Sequence, residues 1–228
     1  MAALSTEIWE SARLTIELAS LTTVILLLIS TPLAWWLARS KTIWSGVAAT
    51  IIAVPLVLPQ PVLGFYLLAL LGSNGPGGVF ASAWGERTLA FTFAGLVVGS
   101  VLCTLPVVVQ SIRKAFVSMG DRPLEVAATL RASPLYAFFT VAVPLARPGF
   151  LTAAVLGFAQ TICAFGVVVI IGGNIPGRTK LLSAFVFEYV QASRWREASW
   201  IAAGMVIFAF AVVLALTLIE KYHGRRNT

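Results

Sequence analysis

Charged side chains are scarce in this chain. They make up 11% of its 228 residues, whereas about 25% is usual for a soluble domain. Hydrophobic residues make up 59%, and the mean hydropathy is +0.92. This composition excludes a soluble globular domain and predicts an integral membrane protein in a lipid bilayer. The net charge of +7 does not indicate a nucleic-acid partner, because basic residues at the cytoplasmic ends of spans give the same balance. We therefore expect none.

Residues that carry chemistry are also few. Cys103 and Cys163 lie inside apolar runs without metal-ligand spacing, and we expect buried free thiols. The one histidine, His223, lies in a basic tail, and no ionisable residue falls near the middle of an apolar run. A proton-coupled carrier usually keeps such a group there, and an enzyme needs clustered acids, histidines or an activated nucleophile. The chain is therefore predicted to be a passive path driven by another subunit, with a membrane-embedded lipid-acting enzyme as the alternative class.

Five apolar runs are long enough to cross a bilayer as helices, which predicts an all-α polytopic membrane protein with a single domain over residues 1–228. The spans are expected at about 14–37, 47–71, 90–112, 150–171 and 200–219. The lead-in to the first run carries Glu7 and Glu10 where a cleavable signal would be basic, so we expect that run to stay in the membrane. The stretch 181–192 is too short for a sixth span. Trp35 and Trp36 are expected in an interfacial aromatic belt.

The second run is interrupted by prolines. Pro55, Pro59 and Pro61 surround Gln60, and each proline removes a backbone donor and crowds the preceding turn. Irregular backbone at membrane depth survives only when it is buried in protein or lines a watery cavity. The segment is therefore predicted to line a translocation path, and a kinked packing helix is the alternative. In the third run, the spacing of Gly95 and Gly99 permits close helix approach.

The polar stretch 121–145, within a loop at 113–147, reads as two short helices at a membrane surface. Asp121 is expected to cap the first helix, with Pro123 in its opening turn and Glu125 near its positive end. Ser133 followed by Pro134 is a second start signal. Ala127 and Ala128 would make one side of the first helix nearly flat, which suits docking into a groove on a partner. An amphipathic helix lying on lipid fits the composition equally well.

The distribution of basic residues predicts the orientation. With five spans and residues 121–145 in the cytoplasm, that side holds ten basic and three acidic residues, and the other side holds six of each. This is the positive-inside pattern, with the N-terminus outside and the C-terminus, including Lys221, Arg225 and Arg226, in the cytoplasm.

A loop predicted to face outward begins GGNIPGRTK. Its glycine spacing imitates a phosphate-binding loop, but the expected strand is missing and Pro176 interrupts it, so we reject that function. Arg178 and Lys180 either attract an oxyanion or a binding protein by charge, or serve as interfacial anchors.

The residues Glu125, Ala127 and Pro144 resemble the loop shared by permease subunits of bacterial ABC importers, in which an acid and paired alanines precede a proline. The stretches 54–78 and 167–192 resemble the molybdate permeases among them, with sulfate and tungstate permeases as close relatives. Two positions depart from the pattern. Arg131 stands where glycine is usual, so the turn is expected to depend on residues 132–134, and Ala164 stands where relatives carry a glutamate.

The resemblance implies a type I importer fold in the bacterial inner membrane, a homodimer with the path at the subunit interface, and no cofactor on this chain. ATP and magnesium would be bound by a cytoplasmic ATPase subunit, and a periplasmic molybdate-binding protein would deliver the cargo. Residues 121–130 would form a coupling helix that docks on the ATPase. The residues expected to couple the two subunits are Asp121, Leu124, Glu125, Ala127, Ala128, Leu130, Arg131 and Ser133.

Overall fold

The computed structural model describes residues 2–82 and 87–224, and every regular element in that part of the chain is helical. The α-helices, in chain order, are α1 (Ala2–Arg39), α2 (Ile43–Val57), α3 (Gln60–Leu71), α4 (Pro76–Ser82), α5 (Phe93–Met119), α6 (Arg122–Thr129), α7 (Pro134–Ala137), α8 (Val143–Leu145), α9 (Arg147–Cys163), α10 (Gly166–Gly172), α11 (Leu182–Gln191) and α12 (Trp195–Gly224). A π-helical turn, Phe138–Ala142, joins α7 to α8.

Three stretches of the described chain are single helices long and apolar enough to cross a membrane: Glu7–Arg39, Phe93–Met119 and Trp195–Ala215. Two further candidates are bent pairs. The helix axis bends by 111° between α2 and α3, and by 69° between Pro134–Leu145 and α9. Counting each bent pair as one span gives up to five spans. Helix α11, with 10 residues, is roughly 15 Å long at 1.5 Å per residue, which is too short to cross.

The core lies where α1, α5 and α9 pack together. At one end of this bundle, Trp35 contacts Phe116 and Phe138 edge to face, with ring centroids 5.0 and 4.9 Å apart. Phe150 of α9 completes this aromatic cluster, 5.8 Å from Phe116. The cluster therefore joins α1, α5, the π-helical turn and α9, and edge-to-face pairs stabilise such packing beyond simple burial. Trp35 thus lies in the bundle rather than in a belt facing lipid, while Trp36 is exposed.

Several expected boundaries differ from the structure. The acidic lead-in belongs to α1, where Thr15 donates a hydrogen bond to the Ser11 carbonyl and accepts one from the backbone N–H of Leu182. Helix α5 runs on to Met119, so Arg113 and Lys114 lie within it instead of ending it. The expected fourth span is broken between α9 and α10. Cys163, expected to be buried, is exposed beside that break, and Cys103 is half-buried. Arg225 and Arg226 lie outside the described residues.

Of the two glycines singled out in α5, Gly99 allows close helix approach, and Gly95 allows close approach of the preceding loop. A Cβ at Gly99 would lie 2.7 Å from the Ile171 side chain, and one at Gly95 would lie 2.2 Å from the Leu89 carbonyl oxygen. Helix α10 therefore packs against α5 at a distance that larger residues would prevent, as the spacing predicts.

Candidate translocation path and coupling surface

Two helix breaks meet in the fold. The first is at Leu58 and Pro59, between α2 and α3, where Pro59 precedes α3 and Pro61 occupies its first turn. Pro55 lies within α2 without ending it. The second break, at Ala164 and Phe165, separates α9 from α10. Because α3 packs along α10, the two breaks are neighbours although they lie about a hundred residues apart in sequence.

A side chain joins the two breaks. The Gln60 Oε1 atom accepts a hydrogen bond of 3.1 Å from the backbone N–H of Gly166, the first residue of α10. A Cβ on Gly166 would lie 2.9 Å from both Cβ and Oε1 of Gln60, so only glycine fits without a shift. On the other side of the break, Ser183 of α11 donates a hydrogen bond of 2.9 Å to the Ala164 carbonyl. Two of the backbone groups freed by the break, the Ala164 carbonyl and the Gly166 N–H, therefore have side-chain partners, as irregular backbone at membrane depth requires.

The surface around the first break is open. Pro59, Gln60 and Pro61 are exposed and Pro55 is half-buried. Large apolar side chains on the same helices are also exposed, among them Val57, Phe65 and Tyr66. An exposed apolar area of this kind marks a surface covered by lipid or by another chain.

Helix α6 is attached to the bundle by one side only. Leu124 packs against the core that contains the aromatic cluster, and Ala127 is 6% exposed. Glu125, Val126, Ala128 and Leu130 are exposed, Leu130 at 78%. The expectation that Ala127 and Ala128 form one flat docking side is therefore wrong: Ala127 faces the protein and Ala128 faces outward.

The ends of α6 also differ from expectation. Asp121 makes no capping hydrogen bond, and its carboxylate lies 3.3 Å from the Arg39 guanidinium at the end of α1.

At the other end of α6, Arg131 itself takes the left-handed conformation, with φ 57°. Its N–H donates to the Ala128 carbonyl at 2.9 Å, and the Ala132 N–H donates to the Ala127 carbonyl at 3.0 Å. These two bonds define a Schellman motif, so the turn uses Ala132, as expected, but its left-handed residue is Arg131 itself. The predicted cap at Ser133 is confirmed, because its Oγ accepts a hydrogen bond from the Tyr136 N–H.

The two cations of the loop between α10 and α11 have different surroundings. Lys180 is 7% exposed; its Nζ atom lies 2.5 Å from the Glu188 carboxylate and 4.0 Å from the centre of the Phe185 ring. Asn174 donates a second hydrogen bond, of 2.7 Å, to that carboxylate. The pair of Lys180 with Glu188 therefore fixes the loop to α11. Arg178 is exposed and lines a groove of about 430 Å³ together with Glu17 and Phe91.

Gly166, Ser183 and Glu188 were missed by the sequence interpretation. The second break has no proline to signal it, and the partners of these three residues lie 106, 19 and 8 residues away, respectively. Within residues 2–82 and 87–224, no three His, Cys, Asp or Glu side chains come together as a metal site would require.

The broken spans and the surface helix α6 belong to a known class of membrane protein. Residues 30–227 match the family described as the inner membrane component of binding-protein-dependent transport systems, and the chain belongs to this family. The chain is 56% identical over 214 residues to the molybdenum transport system permease protein ModB of Azotobacter vinelandii, covering 94% of this chain and 92% of that protein. It is 32% identical to the ModB protein of Haemophilus influenzae, covering 85% and 83%. Identity to the sulfate transport system permease protein CysT of Salmonella typhimurium is 27%, covering 85% and 70%.

Solved transporters share the fold. The chain superposes with a TM-score of 0.73 on a chain of a bacterial alginate ABC transporter crystallised with an alginate-bound periplasmic protein, at 14% identity, covering 93% of this chain and 78% of that one. It superposes with a TM-score of 0.66 on a chain of the MetNI methionine ABC transporter in an inward-facing conformation, at 15% identity, covering 96% and 95%. The predicted all-α fold of an ABC importer permease is thereby confirmed.

Proposed function

We propose that this chain is the permease subunit of an ATP-driven importer for molybdate in the bacterial inner membrane. The observation that carries the proposal is the 56% identity to the Azotobacter vinelandii molybdenum permease along almost the whole of both chains. Identity to two sulfate permeases is about half of that, at 27% and 30%, which favours molybdate over sulfate. Tungstate, with the same tetrahedral geometry and charge, is the remaining competitor.

The chain acts as a homodimer, with the path along the subunit interface. Support comes from the joined breaks: Pro55, Pro59, Gln60 and Pro61 surround the first, and the open apolar surface of α3 beside them suits contact with a second copy. Gln60 offers amide hydrogens to a passing oxyanion while its oxygen holds Gly166. A neutral donor suits an ion that must bind weakly enough to leave again.

Residues 121–130 couple the path to a separate cytoplasmic ATPase, which binds ATP and magnesium and performs the hydrolysis; this chain is not an enzyme and holds no cofactor. Glu125, Val126, Ala128 and Leu130 present the contact surface. Leu124 and Ala127 anchor α6 to the bundle, and the pair Arg39–Asp121 ties it to α1. A displacement of α6 then reaches α1, α5 and α9 together through the aromatic cluster, because close-packed interiors transmit strain. The Schellman turn at Arg131 and the cap at Ser133 fix the angle at which the chain leaves α6.

The N-terminus lies outside and the C-terminus in the cytoplasm. A periplasmic molybdate-binding protein docks on the outer face, and of the two cations in the loop between α10 and α11 Arg178 is the exposed one that steers it, since Lys180 is paired with Glu188.

The test is uptake of radiolabelled molybdate by proteoliposomes that contain the chain with its ATPase, supplied with the binding protein and ATP. We expect uptake that needs all three proteins and that excess sulfate does not suppress. Uptake of sulfate in preference to molybdate would overturn the assigned cargo, and uptake without the ATPase would overturn the coupling.

A further inference from the structure

A groove of about 440 Å³ lies between α2 and α5, with Leu37 of α1 beside them, and none of its lining residues belongs to either helix break. Its walls are mostly apolar and include Ala49, Ile52 and Val109. Its polar lining comes from α5 and includes Arg113, Lys114 and Ser118. The groove thus combines an apolar floor with two adjacent cations, and its lining residues are not among those proposed for the path or for coupling.

The two cations have no carboxylate partner in the described part of the chain. The four ion pairs found there use Arg13, Arg39, Lys180 and Arg194. Arg113 and Lys114 are both exposed. A pair of adjacent positive charges beside apolar walls therefore has room for an anion of outside origin.

The positions of the lining residues along α2 and α5 predict that the groove lies at the level of the membrane interface. Lys114 is five residues from the end of α5 at Met119, roughly 8 Å along the axis. Helix α2 begins at Ile43, and Trp44, the next residue, is 72% exposed. Exposed tryptophan at the start of a span is typical of the headgroup region. Ala49 and Ile52 follow further along α2, towards the hydrocarbon.

We propose that this groove binds a phospholipid with an anionic headgroup, such as phosphatidylglycerol. The lipid phosphate lies between Arg113 and Lys114, and an acyl chain lies along Ala49, Ile52 and Val109. Charge complementarity selects the headgroup, since cations at a membrane surface attract anionic lipid. The apolar walls select a lipid over a soluble anion. The bound lipid packs against both α2, which leads to the first break, and α5, which leads to α6.

The test uses the purified full-length chain in neutral detergent and native mass spectrometry, with phosphatidylglycerol and phosphatidylethanolamine of identical acyl chains as probes. We expect selective retention of phosphatidylglycerol, and a loss of affinity on the order of tenfold or more in the double variant R113Q/K114Q. The matched control R147Q/R196Q removes the same charge from two exposed arginines outside the groove and should bind as the parent does. The variant Ala49→Phe leaves every charge in place and fills the floor, and it should also weaken binding.

Three results would overturn the proposal. The first is equal phosphatidylglycerol affinity in the parent, R113Q/K114Q and Ala49→Phe. The second is displacement of the lipid by millimolar inorganic phosphate, which would make this a site for soluble oxyanions. The third is efficient cross-linking of two chains in native membranes through a cysteine at position 49, in a background free of Cys103 and Cys163, which would show that a second copy covers the groove.

Discussion

The side chain of Gln60 accepts a hydrogen bond from the backbone of Gly166 at 3.1 Å, across 106 residues of sequence. The bond joins a helix broken by Pro59 to a helix that breaks without a proline. Two discontinuous helices that meet are a recurrent way of building an ion site in a transporter, because unwound backbone presents polar groups at membrane depth. This contact is the most direct structural support for a path through this region.

Gln60→Glu tests that path. The carboxylate keeps an acceptor for the Gly166 N–H but adds a negative charge where a dianion is proposed to pass. Repulsion between two like charges in close contact costs on the order of 1 kcal/mol or more. We therefore expect molybdate uptake to fall tenfold or more while the thermal unfolding temperature stays unchanged. Proteoliposome uptake and a melting curve measure the two quantities.

Asn74→Asp is the control for added charge, because Asn74 is exposed in the turn after α3. It should transport as the parent does. If Gln60→Glu transported normally in a folded protein, Gln60 would not face the path.

Substitutions of exposed and buried residues on α6 should distinguish an effect on coupling from an effect on folding. Ala128 and Glu125 are exposed whereas Ala127 is buried, so Ala128→Arg and Glu125→Lys should leave the protein folded yet abolish uptake. Ala127→Arg should unfold or destabilise it, because an unpaired cation would be buried. Melting temperature, ATPase-subunit binding and uptake distinguish the cases. Gly46→Lys, which adds a cation in open space on α2, is the control; normal uptake by Ala128→Arg would contradict the assignment of the surface.

Local features of this chain were predictable from the sequence and distant contacts were not. The break at Pro59 follows from the steric properties of proline, and the cap at Ser133 from its own hydroxyl. The break at Ala164 depends on Gln60 and Ser183, which sequence patterns do not bring together. Asp121 has the residue type of a cap but pairs with Arg39, more than eighty residues earlier. Likewise, α5 continues past Arg113 because the side of the helix that carries Phe116 is buried in the aromatic cluster.

Arg131 adopts a conformation that favours glycine. A left-handed non-glycine residue costs about 1 kcal/mol or more, so Arg131→Gly should raise the stability of the chain by about 1 kcal/mol and its melting temperature by a few degrees. Ala132→Gly is the control, since the neighbouring residue is not left-handed and glycine there should be neutral or destabilising. An equal gain from both substitutions would show that the backbone strain at Arg131 is not what is relieved.

Lys180 should matter for stability. Breaking its pair with Glu188 leaves a carboxylate whose side chain is 39% exposed. Water can solvate that carboxylate, which offsets part of the lost stability. We expect Lys180→Met to cost about 1–3 kcal/mol, less than for a fully buried pair. Arg13→Gln, which breaks the exposed pair with Glu17, should cost well under 1 kcal/mol in the same unfolding assay. Equal effects would contradict the structural role of Lys180.

Arg178 should affect the rate at which the binding protein associates with the transporter, and not the stability of the chain. It is exposed beside a groove on the predicted outer face, and an exposed cation acts mainly on the rate of encounter with a charged partner. Arg178→Glu should therefore slow association of the loaded binding protein several-fold at low salt, with the difference shrinking as salt screens it, and should leave the melting temperature unchanged. Arg196→Glu reverses another exposed charge on the same predicted side and should change the association rate less. Surface plasmon resonance on the reconstituted transporter measures both rates, and a salt-independent or absent effect of Arg178→Glu would mean that Arg178 anchors the chain at the interface and does not meet the binding protein.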